Sequence, residues 1–497
     1  MLNSQLLGPN SAADRRTSFV SEDRRLERSG GSRSGHDLAP PVALLNFLQT
    51  GWAERTPATN EPIEGADHYQ DRRRRLSEQF PGLSLVIPAG QLVVRSADSK
   101  YRFRPSSDFL YLVGEASPND VLVMDALPGG GHTSLLFSDP DTDPSSPDFF
   151  TDRIRGEFWV GPKMGLAEMA ARLGIRGAPR ATLSSFVNTR TSLAVVRGIS
   201  PDLDRLDLPP TALDHDLQAA LANLRLIKDE LEIRYLKEAV DATVAAFDRV
   251  VRNLHQMQTE RDVETIFCGA ARTSGNDVGY PVIAAAGAHA TILHWHRNSG
   301  QLRSGDLLLL DAGVEAKSFY TASIARTLPI GGRFTRAQRT IYDLVWAAQQ
   351  EAIVRVRVGN PFYALDDAAQ AVLARGLYDL GVLSIPAEQS LAADSHLHRR
   401  YTVHGASHML GLDVHDCAHA TPNSYPNGHL APGMVLTVEP GLYFQANDET
   451  VPPEYRGIGA RIGDDVLVTE DGPVVLSTAL PSARAAVEEW VRTGQTP

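Results

Sequence analysis

Cysteine is scarce in this chain, since only Cys268 and Cys417 occur among 497 residues. Two cysteines cannot form a disulfide framework, and such scarcity is typical of proteins in a reducing cytoplasm. No apolar run approaches the roughly 18 residues of a transmembrane helix. Charged residues near the start, such as Asp14 and Glu22, interrupt any apolar signal region. We therefore expect a cytoplasmic protein that does not span a membrane.

An excess of basic residues is also missing. Lys and Arg number 48 against 60 Asp and Glu, which gives a net charge of −12 and a pI near 5.7. Nucleic-acid binding requires a basic face, so the composition argues against a nucleic-acid partner. With 42% hydrophobic residues in 497 positions, the chain is long enough for two or three domains, each with its own core.

Local composition divides the chain into four segments. Residues 1–60 are rich in Arg, Ser, Gly and Pro, and they bury too little apolar surface to offset the entropy of ordering. We predict a flexible tail there. Alternating short strand and helix patterns predict a mixed α/β domain over residues 61–210, which a proline-rich stretch ends. A second domain is predicted over 211–482, and a short C-terminal tail over 483–497.

Titratable side chains are concentrated between residues 401 and 444. The stretch YTVHGASHMLGLDVHD contains His404, His408 and His415, and Glu439 follows after a short apolar run. Metal sites and acid–base sites both need lone pairs or titratable protons held close together. A lone His is more often a core or surface residue, but this density, with glycines between, predicts a functional site.

Three further stretches contribute candidates. His294 lies in YPVIAAAGAHATILHWHRN, on a predicted strand or at its exit, and Asp311 ends the apolar strand LLLLD. A buried carboxylate in that position is costly unless a cation is beside it. Arg461 lies in the predicted strand of YRGIGARIGDD, and its guanidinium is suited to pairing with a carboxylate.

These motifs, together with YRFRPSSDFLYLVGE in the first domain, resemble those of the aminopeptidase P family, the proline-specific relatives of methionine aminopeptidase, prolidase and creatinase. The resemblance implies an N-terminal α/β domain and a C-terminal pita-bread domain, whose curved antiparallel sheet carries a pair of metal ions. It also implies a homo-oligomer, either a dimer or a tetramer. The implied substrate is a small peptide or amide with proline next to the N-terminus.

The chain departs from this family at two of its five metal ligands, which are in order Asp, Asp, His, Glu and Glu. Asp311, His408 and Glu439 match the first, third and fourth positions. Ser323 stands at the second, in ASIARTLP, and Gly463 stands at the fifth, in ARIGDD. The flanking residues align well at both positions, so no shift of register restores a carboxylate.

The missing carboxylates are the two that bridge both ions in the family. One His and two carboxylates match the charge of a single divalent cation, and a second ion would meet uncompensated repulsion. The sequence therefore predicts one ion or none, manganese or zinc, with Asp311, His408 and Glu439 as its ligands.

Four other residues receive catalytic roles from the resemblance. His294 and His404 are expected to contact the substrate or its tetrahedral intermediate. His415 is expected to orient the leaving group or a carboxylate, and Arg461 to pair with a carboxylate near the site.

Three functions remain open at this point. In the first, the protein is a metallo-aminopeptidase-like hydrolase that uses at most one ion. In the second, it hydrolyses a C–N bond or catalyses a biosynthetic step without metal, as creatinase does, with a His as general acid–base. In the third, it is a catalytically inactive peptide-binding pseudoenzyme. The three retained ligands and the His cluster favour an enzyme, and we prefer the first reading.

Overall fold

The structure is a computed structural model, and it describes residues 40–53, 61–139, 143–205 and 210–494. The helices, in chain order, are α1 Val42–Leu48, α2 Ala66–Gln79, α3 Ser107–Val113, α4 Asp148–Thr151, α5 Glu157–Val160, α6 Leu166–Leu173, α7 Leu183–Asn188, α8 Pro201–Asp204, α9 Ala212–Leu226, α10 Glu230–Asn253, α11 Glu260–Ser274, α12 Arg336–Val354, α13 Ala364–Asp379, α14 Ala387–Ser390 and α15 Arg484–Thr493. The strands are β1 Ser84–Pro88, β2 Val94–Ser96, β3 Ser99–Lys100, β4 Val121–Ala126, β5 His132–Ser138, β6 Arg176–Pro179, β7 Leu193–Val195, β8 Asp277–Val278, β9 Ile283–Ala286, β10 Leu307–Ala312, β11 Val314–Glu315, β12 Ile324–Pro329, β13 Val435–Val438, β14 Gly441–Tyr443, β15 Gly459–Arg461, β16 Asp464–Thr469 and β17 Gly472–Val475.

The first domain is built on a mixed sheet with the strand order β6-β5-β4-β1-β7. Strand β1 pairs antiparallel with β4 and parallel with β7. Its residues Leu85 and Ile87 enter one apolar cluster, and Val86 enters another on the opposite face. A strand that is buried on both faces reads as a continuous apolar run, as LSLVIP does. This arrangement confirms the mixed α/β expectation for this part of the chain.

A small second unit comprises α1, β2, β3, α4 and α5. Aromatic rings pack together in it: the exposed Trp52 ring lies 5.6 Å from the buried Phe149 and 5.9 Å from the buried Phe150, centroid to centroid. Of the predicted tail over residues 1–60, only residues 40–53 lie within the described chain, and they include α1. The rest of that prediction falls outside the described residues.

The C-terminal part carries short antiparallel sheets, with the orders β12-β10-β9, β13-β16-β17, β14-β15 and β11-β8. A single bridge between Ala325 and Gly463 joins the first of these to the strand that continues as β16. Another bridge, between Met409 and Leu436, places the His-rich stretch beside β13. Through these pairings the sheets bring together stretches that are far apart in the sequence. No helix within the described ranges combines the length and apolar content needed to cross a membrane.

Helix α15 is the last described element, and it lies within the segment predicted as a C-terminal tail. Val487 and Trp490 are fully buried on one of its faces. The Trp490 indole N–H donates a hydrogen bond of 3.0 Å to Asp248 in α10. Helix α15 therefore packs on the C-terminal domain, although the predicted domain boundaries stay predictions.

Removing this anchor should destabilise the C-terminal domain. Trp490→Ala deletes a fully buried side chain, and we expect it to lower the free energy of unfolding by about 3–5 kcal/mol. Arg492→Ala, an exposed position on the same helix, is the matched control and should change it by less than about 0.5 kcal/mol. Chemical denaturation of both variants measures the difference. Equal stability of the two would show that α15 is dispensable.

Candidate active site

Asp311 lies near the end of β10, a strand that is buried along its whole length. Its Oδ2 lies 2.8 Å from Arg461 Nε, and its Oδ1 accepts a hydrogen bond of 2.7 Å from the Tyr280 hydroxyl. Burial raises the pKa of Asp311, and the nearby Arg461 charge offsets only part of this effect. The carboxylate thus has both a cation and a neutral donor beside it, as a buried charge requires.

The two positions that lack the expected carboxylates are close together. Gly463 bridges to Ala325, two residues after Ser323. The Ser323 amide donates to both carboxyl oxygens of Asp465, at 3.1 and 3.3 Å. A Cβ added at Gly463 would lie 3.0 Å from the Cβ of Glu439, so the missing side chain would have started beside the retained one. Both losses therefore affect the same corner of the site.

Glu439 and His408 form the second charged pair. His408 Nδ1 lies 3.0 Å from the Met409 carbonyl, which can only accept, so this nitrogen carries a proton. Its Nε2 lies 3.3 Å from Glu439 Oε1. Although burial opposes both shifts, this contact raises the pKa of His408 and lowers the pKa of Glu439 to about 2. An imidazolium beside a carboxylate is the favoured state of these two groups.

His404, Tyr443 and Arg461 form a hydrogen-bonded chain. Arg461 Nη1 donates to the Tyr443 oxygen at 2.9 Å, and that oxygen lies 2.7 Å from His404 Nε2. Because Arg can only donate, the Tyr443 hydroxyl is free to donate its proton to His404. His404 Nδ1 then donates to the Gly405 carbonyl at 2.8 Å. Burial, followed by the Arg461 charge, lowers the pKa of His404, which agrees with a neutral ring in this tautomer.

His415 and His294 are the accessible members of the group. Both side chains are exposed. The ring of His415 meets that of His408 edge-on, with 4.5 Å between centroids. Burial lowers the pKa of His415, His408 lowers it further, and His294 adds a smaller effect in the same direction. The exposed imidazoles are therefore the groups best placed to meet a substrate.

The loop that carries His415 is held by buried ion pairs. Asp416 lies 2.9 Å from the Lys228 ammonium and 2.8 Å from Arg225, and all three side chains are almost inaccessible. Although burial opposes it, these cations lower the pKa of Asp416 to about 2. Arg225 also reaches Asp413, which accepts a hydrogen bond from Ser107 of the first domain. Asp413 and Asp416 therefore anchor the loop that carries His415.

The structure brings the predicted residues into two neighbouring groups, one of Asp311, Arg461 and His404 and the other of Glu439, His408, His415 and His294. The charge of Glu439 contributes to the raised pKa of Asp311, which links the groups.

Sequence reasoning did not single out Tyr280, Tyr443 or Asp465. Tyr443 reaches Arg461 because β14 pairs with β15 and aligns Gly441 with Arg461, and no local pattern indicates that pairing. Asp465 carried a usable signal, since it lies two residues after Gly463 and therefore on the same face of the strand. It is fully buried, and burial raises its pKa well above the usual range.

These residues do not fit a two-ion centre, because Ser323 and Gly463 provide no bridging carboxylate. The donor types of Asp311, His408 and Glu439 do fit one divalent ion. Within the described part of the chain, however, no three His, Cys, Asp or Glu side chains are arranged to enclose an ion as they stand. Asp311 is engaged by Arg461, and Glu439 by His408, so binding an ion requires these contacts to be exchanged.

Two family models match the chain. The model of metallopeptidase family M24 covers residues 234–470, and that of the aminopeptidase P N-terminal domain covers residues 69–192. Xaa-Pro aminopeptidase 1 of Streptomyces coelicolor is 45% identical over 492 residues, which is 98% of each chain. The chain therefore belongs to metallopeptidase family M24. Within that family it belongs to the aminopeptidase P, or Xaa-Pro aminopeptidase, group.

Solved structures agree with this assignment. Aminopeptidase P from E. coli with the inhibitor Pro-Leu matches with a TM-score of 0.77 and 30% identity, covering 88% of this chain and 99% of that one. The zinc-substituted E. coli enzyme in complex with product matches with the same score and identity, over 89% and 100% of the two chains. The predicted family and the predicted fold, an N-terminal α/β domain followed by a pita-bread domain, are confirmed.

Removing Arg461 should leave the buried carboxylate of Asp311 without its cationic partner. Arg461→Met breaks a buried pair, and we expect a loss of about 3–5 kcal/mol in the free energy of unfolding at pH 7. The pKa of Asp311 is already raised, so its protonation stabilises the folded state at low pH, and this contribution is lost as the pH rises through the folded-state pKa. Arg461→Met should raise the pKa of Asp311 further. Relative to the parent protein, it should therefore lose less free energy of unfolding at pH 5 than at pH 8.

Chemical denaturation at the two pH values measures this difference. Arg492→Met, at an exposed ion pair, serves as the control with little change at either pH. A loss for Arg461→Met that is the same at both pH values would contradict the assigned role of Asp311.

Proposed function

We propose that this protein is an aminopeptidase P-like hydrolase that acts on a peptide or amide with proline next to its N-terminus. At most one divalent ion assists it, manganese or zinc. The observation that carries the proposal is the retained set of Asp311, His408 and Glu439 beside exposed imidazoles, in a chain 45% identical to a named Xaa-Pro aminopeptidase. We further propose a cytoplasmic homo-oligomer, a dimer or tetramer, on the basis of the family.

The ion, when bound, would be held by Asp311, His408 and Glu439, where it would polarise a substrate carbonyl and lower the pKa of water. His408 must then release the proton of Nε2, because only the neutral ring offers a lone pair. The contact between Arg461 and Asp311 must likewise be exchanged when the ion binds.

The three other histidines of the site have different roles. His294 and His415, both exposed, contact the substrate, and His415 orients the leaving group or a carboxylate. His404 acts from a half-buried position through Tyr443, because its Nε2 already accepts a hydrogen bond from that hydroxyl. It therefore stabilises the site in its neutral form rather than as a charged acid.

Peptide binding without turnover is the second candidate. It is favoured by Ser323 and Gly463 at the bridging positions and by the Arg461 contact that occupies Asp311. Metal-independent C–N hydrolysis, with the imidazolium of His408 as acid, is the third. These candidates differ in metal content and in turnover.

A metal count and a peptide assay distinguish the candidates. Protein purified without chelator is saturated with manganese or zinc, desalted and analysed for bound metal, while cleavage of an Xaa-Pro peptide is measured with and without EDTA. We expect about one ion per chain or less, and turnover that EDTA abolishes. Turnover that persists in EDTA supports metal-independent chemistry. A peptide that binds and is recovered intact supports the pseudoenzyme.

Restoring the missing carboxylates should rebuild a two-ion site. For Ser323→Asp combined with Gly463→Glu we expect about two ions per chain and faster Xaa-Pro cleavage than in the parent. Gly463 lies outside the left-handed region, and an added Cβ would lie 3.0 Å from Glu439 Cβ and 3.2 Å from Ala325 Cβ, so a small backbone shift suffices. Each single variant is the control and should fall short of the pair. If the double variant folds but binds no more metal than the parent, the two carboxylates alone are not sufficient to form a two-ion site.

A further inference from the structure

Glu260, the first residue of α11, is a buried carboxylate that the proposed reaction does not use. Its side chain is wholly inaccessible, and within the described ranges its polar partners include no Lys or Arg. Four donors converge on it. Oε1 accepts from the Ala286 amide at 2.7 Å and from His289 Nδ1 at 2.8 Å, and Oε2 accepts from Trp295 Nε1 at 2.7 Å and the Gly300 amide at 2.6 Å.

All four donors belong to one loop, residues 286–300. The His289 ring stacks on Trp295 with 3.9 Å between centroids, so the two side-chain donors also support each other. The loop passes so close to Glu260 that a Cβ at Gly300 would lie 2.6 Å from both Glu260 Oε1 and His289 Nδ1. A glycine is therefore needed where the loop returns to the carboxylate.

This loop carries His294 toward the active site. The Leu293 carbonyl accepts a hydrogen bond of 3.4 Å from Arg461, and His294 itself is exposed and influences His415. The loop is attached at further places as well, since Gln445 donates to the Thr291 carbonyl at 2.7 Å and Arg261 donates to the Arg297 carbonyl. Among the described side chains outside the loop, Glu260 makes the most hydrogen bonds to it, four in all.

Only a carboxylate suits this arrangement. An ionised carboxylate accepts at both oxygens, whereas an amide of the same shape presents two N–H donors on one side. In Glu260→Gln those donors would face two N–H groups of the loop, and hydrogen bonds to a charged acceptor would be lost. The loop would then have to move away from α11.

We propose that Glu260 is a positioning residue, which holds the 286–300 loop so that His294 faces the substrate. The inference rests on the proposed function for the role of His294. The position of the loop itself is independent of that function and can be measured separately.

The experiment compares Glu260→Gln with Glu351→Gln. Glu351 lies on α12 and pairs with Arg355 at 2.9 Å, away from the 286–300 loop, so it is a carboxylate-to-amide control. Fluorine NMR of protein labelled with 5-fluorotryptophan reports the surroundings of Trp295, which is assigned from Trp295→Phe. Proton–nitrogen NMR of labelled histidine reports His294, assigned from His294→Ala. Calorimetry gives the affinity for the tripeptide Ala-Pro-Ala.

We expect Glu260→Gln to shift the Trp295 and His294 signals and to weaken tripeptide affinity about tenfold, whereas Glu351→Gln should match the parent. Added to His294→Ala, Glu260→Gln should weaken binding little further, because both changes act through the same side chain. Gly300→Ala keeps the Glu260 carboxylate, but its added methyl group obstructs the contact between the loop and that carboxylate. It should give the same signal shifts, and it replaces Glu260→Gln in the experiment if that variant does not fold.

Unchanged Trp295 and His294 signals in Glu260→Gln and Gly300→Ala would overturn the proposal. So would a Glu260→Gln effect on affinity that is fully additive with His294→Ala, since that indicates a general structural loss. If the parent does not bind the tripeptide, the proposed function fails by itself, and the NMR signals still decide whether Glu260 positions the loop.

Discussion

Compensation of buried negative charge is the constraint on which this active site depends. The family places four carboxylates around two cations, and this chain keeps Asp311 and Glu439. Each now lies beside a cationic side chain of the protein itself, Arg461 at 2.8 Å and His408 at 3.3 Å. A buried carboxylate without such a partner would cost several kcal/mol. The same contacts that stabilise the carboxylates also compete with any metal ion.

The two substitutions act together because the fold makes them neighbours. Gly463 bridges to β12 just beyond Ser323, and its missing side chain would have begun beside Glu439. Both carboxylates that the resemblance predicts as bridging ligands are therefore absent from the same part of the fold, while Asp311, His408 and Glu439 are retained. Asp465 remains behind Ser323 with its pKa raised by burial, so it adds little negative charge in compensation.

Buried and half-buried carboxylates elsewhere in the domain hold the loops that carry the histidines. Asp416 binds Arg225 and Lys228 beneath the His415 loop. Asp366 accepts from the Ala406 amide beside His404, and Glu260 accepts four donors of the loop that carries His294. Loops have unsatisfied backbone groups, and a carboxylate can accept several of them at once. The histidines of the site thus lie on loops, and carboxylates fasten these loops to the rest of the domain.

The sequence by itself determined the family, the mixed α/β first domain and the residue types of the site, because apolar runs and His, Asp and Glu motifs are local signals. It also located the losses at Ser323 and Gly463, since the flanking residues fix the register. It could not indicate that His404 acts through Tyr443, that Asp311 is the carboxylate with which Arg461 pairs, or that Glu260 anchors a loop up to 40 residues away. Those contacts join distant strands and helices, so only tertiary pairing decided them. Helix α15 was not predicted for the same reason. The burial of Trp490 depends on α10, where its partner Asp248 lies, and not on the residues beside it in the sequence.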